Sequence, residues 1–231
     1  MKLFSIDGPV YKFLSRLWDI LRLDLCFVIG ALPAAAYFIC ANLENVPLPV
    51  SVLVLLFSGF FIGASATASF VITLKMAAET EGYIFKPFIK AYKENFLKGG
   101  AIGSIHVLLI QAAFLSFQIF NATEDGNTYF LIMAILCTVM AVFAFIYAYP
   151  LTARYENTIP GTLKNSLRIS VRYIGRTLLA VIIVALLIAV FSWNSTLIFI
   201  GLLIAPGTIF LAISGIVNYI FADIERKNKE E

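Results

Sequence analysis

Six stretches of this chain, residues 23–43, 49–78, 100–120, 128–151, 174–193 and 196–222, each run for 20 residues or more with almost no charged side chain away from their ends. A bilayer core of about 30 Å takes about 20 apolar residues of helix to cross, so each stretch is long enough to span it. Lipid offers a backbone N–H or C=O no partner, which makes helix the expected form of every span; no strand-like alternation competes. Composition agrees, with 61% hydrophobic and 13% charged residues, where soluble domains average about 45–50% and about 25%. That balance excludes a soluble domain, and three cysteines are too few for a secreted disulfide scaffold. The expected fold class is all-α: a polytopic membrane protein of six transmembrane helices, forming one membrane domain over residues 1–231.

Positive charge sets the expected orientation. The segment before the first span holds Lys2, Lys12, Arg16 and Arg22, and the span 2–3 connection with its flanks holds Lys75, Lys86, Lys90, Lys93 and Lys98. The span 4–5 connection holds Arg154, Lys164, Arg168, Arg172 and Arg176, and the tail holds Arg226, Lys227 and Lys229. These are all 17 basic residues of the chain. The opposite turns, 44–48, 121–127 and 194–195, carry Glu44, Glu124 and Asp125 and no Lys or Arg. By the positive-inside rule both termini are cytoplasmic. Pro33-Ala34-Ala35-Ala36 resembles a signal-peptide cleavage site, but the charged leader before it is long and amphipathic, so the segment is expected to be retained. Asn121-Ala122-Thr123 and Asn194-Ser195-Thr196 on the outer side have the form of glycosylation triplets, which chance explains better.

Each basic connection also carries a shorter amphipathic pattern ahead of its span. Phe13, Leu14, Leu17, Trp18 and Leu21 oppose Lys12, Arg16 and Asp19. Phe85, Phe88, Ile89, Tyr92 and Phe96 oppose Lys86, Lys90 and Lys93. Leu163, Leu167, Val171 and Ile174 oppose Lys164, Arg168, Arg172 and Arg176. Helices of this kind lie in the headgroup layer, with basic side chains near anionic lipid phosphates. Phe13, Phe88 and Leu163 stand 75 residues apart, which suggests three elbow-plus-hairpin repeats over 9–78, 84–155 and 160–222 with a tail at 223–231. Two spans per unit keep the direction of the chain, so the repeats would be parallel.

Small residues recur four apart at Gly30/Ala34, Gly59/Gly63, Ala64/Ala68, Gly99/Gly103 and Gly201/Ala205, the spacing that lets membrane helices approach closely. Pro33 and the Pro206-Gly207 pair fall near the middle of spans 1 and 6 and are expected to kink them. Broken helices near mid-membrane can also mark a transport path; its candidate residues here are Pro33, His106, Gln111, Pro206 and Gly207. For His106 a structural role is the stronger reading, because no intramembrane acid is available as its partner. Asp24, at the inner edge of span 1, is expected to pair with Arg22 or with a basic residue of another elbow.

No enzyme signature occurs. One histidine cannot build a multi-histidine metal site, and Cys26, Cys40 and Cys137 lie apart in apolar spans as small hydrophobes. No phosphate-binding glycine loop is present, and the basic residues interleaved with aromatics fit membrane elbows better than nucleic acid. The expected chain is non-enzymatic, without cofactor or metal, with lipids as its first partners.

Several runs resemble the YesL-like family of bacterial integral membrane proteins, a domain of unknown function. They are Gly63-Ala64-Ser65-Ala66-Thr67-Ala68 through Thr73-Leu74-Lys75-Met76, then Glu81-Gly82-Tyr83-Ile84-Phe85-Lys86-Pro87-Phe88 and Lys93-Glu94-Asn95-Phe96. Tyr149-Pro150-Leu151-Thr152-Ala153-Arg154-Tyr155-Glu156 and Thr162-Leu163-Lys164-Asn165-Ser166-Leu167 continue the pattern. The chain departs from the family's compact Leu-Pro-x-x-Thr-x-Gly stretch, since Leu32-Pro33 and Gly63 stand 30 residues apart. The resemblance implies a Gram-positive plasma membrane protein, often encoded beside oligosaccharide ABC importers and their sensor kinases, and it supplies no catalytic residues. An accessory protein docking on importer permease subunits or a sensor kinase is the expected function, with Lys86, Lys90, Lys93, Lys164, Arg168 and Arg172 as candidate partner- or lipid-docking residues. The alternative is a small transporter or channel with its pathway between the hairpins.

Overall fold

The structure is a computed structural model that describes residues 9–41, 46–79, 83–122 and 127–230. Lys2, Glu44, Glu81, Gly82, Thr123, Glu124 and Asp125 lie outside the described residues. Among those described, every regular element is helical: α1 (Pro9–Ala31), a 3₁₀ turn (Leu32–Ala34), α2 (Ala35–Ala41), α3 (Leu48–Ala77), α4 (Phe85–Ala122), α5 (Thr128–Phe143), a π turn (Ala144–Ala148), α6 (Tyr149–Arg154), α7 (Ile159–Arg172), α8 (Ile174–Phe191) and α9 (Ser195–Glu230). Six helical stretches are long and apolar enough to cross a membrane: Val10–Tyr37, Leu48–Ala77, Phe85–Ala122, Thr128–Arg154, Ile174–Phe191 and Ser195–Lys229.

Local chemistry sets the helix starts. Pro49 sits in the first turn of α3, where its missing N–H is no loss. Asn127 accepts from the Tyr129 N–H at the head of α5, Thr158 from the Gly161 N–H at the head of α7, and Asn194 from the Leu197 N–H at the head of α9. Asn194, read above within a glycosylation triplet, is thus engaged as a helix cap.

α3 is the central post, with α1, α4, α6 and α9 packed around it. Its segment from Gly63 to Phe70 is buried throughout, which only small side chains allow on a helix surrounded by others. Their hydroxyls bond back along the helix, Thr67 to Gly63 O at 2.9 Å and Ser69 to Ser65 O at 3.0 Å, and so carry no unpaired polar atom into the core. The four glycines of the two sequence pairs meet across the α3–α4 contact. A Cβ at Gly63 would stand 2.5 Å from the Gly103 Cα and collide with the Gly99 carbonyl, and one at Gly103 would collide with the Gly59 carbonyl.

Span 1 breaks at Pro33, which cannot donate to the Ile29 carbonyl. The chain tightens into the 3₁₀ turn there, and neighbouring helices hold the interrupted stretch. Ser65 donates to Phe27 O at 2.8 Å, Tyr92 to Gly30 O at 3.0 Å and Ser58 to Ala34 O at 3.2 Å. Pro206, by contrast, lies inside α9, whose helix runs on through it. A break absent from the sequence reading is the π turn in span 4: Pro150 has no N–H for the Ile146 carbonyl and crowds it, and the turn ahead of it widens.

The elbows differ from expectation. The first two are continuous with their spans, because α1 and α4 run unbroken through them; no proline separates elbow from span in either, and Gly99-Gly100, which stand between them in α4, are held in the helix by packing on Gly63, Thr67 and Phe60. Only the third is a separate helix, set off by Tyr173 at φ −114°, ψ 41°. Its most fully buried residues are small and polar, while Leu163 and Ile169 pack half-buried on the core. Thr162, Ser166 and Ser170 are buried against the π turn, while Val171 is 68% exposed and Ile174 48%. Small hydroxyl residues let α7 approach the π turn closely, and lipid accepts the larger apolar groups.

Candidate functional site

Among the described residues the charged side chains gather at one end of the bundle, and specific bonds join the segments that carry them. Arg16 donates to Met76 O at 3.1 Å, tying α1 to the end of α3. Asn218 on α9 donates to Leu74 O at 2.8 Å and accepts from Arg154 at 3.1 Å. Arg154 also pairs with Glu225 at 2.9 Å, and the Tyr155 hydroxyl donates to the same carboxylate at 2.6 Å. Burial, and then that hydrogen bond, push the Tyr155 phenol above the ordinary tyrosine range.

The six candidate docking residues form two patches. Lys86, Lys90 and Lys93 lie exposed on the first turns of α4, a helix of 38 residues, or about 57 Å at 1.5 Å per residue, longer than the bilayer core is thick. Among the described residues Lys90 has only the exposed Glu94 at 3.8 Å as an ion-pair partner, a contact worth little in water. Lys164, Arg168 and Arg172 lie exposed on α7. Arg168 and Arg172, but not Lys164, line a cavity of about 450 Å³ between α7, the segment after α6 and the end of α9, together with Glu156, Asn157, Asn165 and Ile224.

The five candidate pathway residues do not converge on one polar route. His106 and Pro206 share a cavity of about 400 Å³, walled by apolar groups such as Phe27, Val107, Phe145 and Phe210. His106 Nδ1 lies 3.0 Å from the Tyr149 hydroxyl. A larger groove of about 890 Å³ opens from His106 between α4, α5 and α8, and its walls are again apolar. Pro33 sits in the 3₁₀ turn, Gln111 lines neither cavity, and Gly207 packs against Asp24.

Asp24 corrects an expectation. It is 2% exposed, and among the described residues neither carboxylate oxygen has a side-chain partner, the Gly207 backbone being what lies against it. Arg22 pairs instead with Asp19, at 3.8 Å. Residues two apart do not share a helix face, so Arg22 and Asp24 point apart. Two buried polar links also went unread: Thr73 to Ser214 at 2.7 Å, joining α3 to α9, and Tyr147 to Thr177 at 2.8 Å, with Thr177 donating on to Ser170 O at 3.0 Å. The only sequence signal for them is hydroxyl residues inside apolar spans.

Fold and site together define a polytopic α-helical membrane protein whose described charged groups are collected at one end. Residues 48–117 match the family described as "Protein of unknown function, DUF624". The match covers α3 and most of α4, under a third of the chain, and includes the motif runs from Gly63 to Phe96 but not those from Tyr149 onward. No curated protein matches the chain, and no solved structure does.

Proposed function

We propose that this chain is a non-enzymatic accessory protein of a bacterial plasma membrane, with both termini cytoplasmic, that docks on an oligosaccharide ABC importer or its sensor kinase. The observation that carries the reading is the exposed row Lys86, Lys90 and Lys93 on α4. These ammonium groups stand four and three residues apart on a rigid helix that outruns the bilayer, with one weak internal partner among them. A charged, solvated helix face of this kind fits complementary acidic surface on another protein. The sugar-importer partner rests on the YesL-like resemblance alone. The test is purification in mild detergent from cells in which the neighbouring importer stays assembled: importer or kinase subunits should accompany the wild type and be lost from Lys86→Glu/Lys90→Glu/Lys93→Glu. Recovery of the wild type without them would sink the proposal. The second reading, a small transporter or channel, has only the cavities at His106 behind it, and their apolar walls suit an ion or a sugar poorly.

A further inference from the structure

We propose that the cavity beside α7 is a phosphate site, in which Arg168 and Arg172 bind the phosphodiester of an anionic membrane lipid. The two residues stand four apart on α7 and therefore side by side, with Cβ atoms about 5–6 Å apart, and Asn165 precedes Arg168 by one turn on the same face. All three line the cavity, as does Asn157 across from them. Among the described residues none of these four side chains has a hydrogen bond to the protein, and no carboxylate comes within ion-pair distance of either guanidinium; Arg172 has only the Tyr173 ring, at 5.9 Å. The acids of α9 that could have neutralised them are already held: Glu225 by Arg154 and Tyr155, and Asp223 by Arg226, Lys227 and Tyr173. Two guanidiniums offering paired N–H donors, with amides beside them, make a phosphate-binding set.

Charge selects the kind of phosphate. Glu156 also lines the cavity, so the lining carries two positive charges and one negative. A lipid phosphodiester, with a single negative charge, neutralises that balance; a phosphate monoester near two charges would leave an excess and face Glu156. Ile224, Ile169, Leu151 and the Tyr155 ring complete the wall, giving the glycerol end of a lipid apolar surface to rest on. The proposal stands on the cavity's lining and not on importer docking, so an empty co-purification leaves it intact.

The test uses the full chain in nanodiscs of phosphatidylcholine with phosphatidylglycerol as minor component, and counts the lipids that stay bound on release into native mass spectrometry. Phosphatidylglycerol should be enriched on the wild type. Arg168→Gln/Arg172→Gln should lower that enrichment about tenfold, the loss of charge-assisted hydrogen bonds worth one decade in binding. Glu156→Gln should raise it, a gain that misfolding cannot imitate. Thermal unfolding in neutral detergent with added inorganic phosphate distinguishes a soluble source: stabilisation there that needs both arginines, with equal lipid enrichment in all variants, overturns the lipid occupant. Equal enrichment with no effect of phosphate overturns the site.

Discussion

The carboxylate of Asp24 rests on the bare backbone of Gly207: a Cβ there would stand 2.9 Å from Oδ1, 3.1 Å from Oδ2 and 3.1 Å from the Ile20 side chain. This contact fixes how closely α1 and α9 cross, and it sits beside the proline that deprives the Leu202 carbonyl of its helical donor. Gly207→Ala should therefore destabilise the protein by about 1–3 kcal/mol, the usual range for overpacking. Asp24→Ala removes the group the new methyl would strike, so the double variant should recover most of the loss. Asp24→Asn alone should cost little, because among the described residues no side chain is bonded to the carboxylate and the amide keeps an oxygen to set against the Gly207 backbone. Thermal unfolding in detergent measures all three; a double variant no better than Gly207→Ala would show that the two residues do not act on each other.

At the α3–α4 contact the obstacle to a side chain is backbone on both sides, namely the carbonyls of Gly59 and Gly99 and the Cα of Gly103. Backbone cannot swing aside as a side-chain tip can. Gly63→Ala and Gly103→Ala should thus each cost at the upper end of the overpacking range, about 3 kcal/mol, whereas Gly175→Ala, with nothing within 4 Å of its Cβ, should be close to neutral. A lowered unfolding temperature for the first two and not the third is the expected pattern.

What the sequence made legible follows from which forces act in lipid. Spans were readable because a run without charge is the one thing a bilayer demands, and Gly59/Gly63 and Gly99/Gly103 because close approach needs small residues at helical spacing. The side of α7 that packs on protein was not legible, for the same reason reversed. Hydrophobicity says which groups avoid water, but where lipid already receives Val171 and Ile174, packing is decided by size, and Thr162, Ser166 and Ser170 go inward. Asp24 was misread from its nearness to Arg22 along the chain, where helix geometry sends neighbours two apart to different faces. The cavity at Arg168 was half legible: the basic stripe was plain, but Glu156 and Ile224 reach it only through the fold.

Tyr147 is fully buried, and its hydroxyl meets Thr177, which donates on to Ser170 and Tyr173 carbonyls. The link joins the π turn to the junction between α7 and α8. Tyr147→Phe leaves packing intact and removes one buried partner, at a cost of about 1–2 kcal/mol. Thr177→Val should cost a similar amount, and the double variant less than the sum, since each single change already breaks the shared bond. Additive losses would separate the two hydroxyls.

Tyr155 lies beyond the spans, and its folded phenol titrates above the ordinary value. Stabilisation from a raised group is complete below the unfolded value of about 10 and is lost as pH rises through the folded one. Tyr155→Phe should therefore be less stable than wild type by about 1 kcal/mol near neutrality, and the gap should close as pH climbs past about 10. Unfolding temperatures across the alkaline range read the difference directly; a gap that widens with pH would contradict the hydrogen bond to Glu225.

The end of the bundle that carries the basic residues is expected to face the cytoplasm. Turning it outward would place Lys86, Lys90, Lys93, Arg168 and Arg172 on the side from which positive loops are excluded during insertion. In a background lacking the three native cysteines, Lys90→Cys and Arg168→Cys should resist a membrane-impermeant maleimide in intact cells and react after permeabilisation. Trp193→Cys, at the opposite end of the bundle and 83% exposed, should react in both. Labelling of position 90 or 168 in intact cells would invert the topology. It would also remove the importer-docking proposal, which needs that surface inside the cell, and would leave the phosphate site to be tested against outer-leaflet lipid.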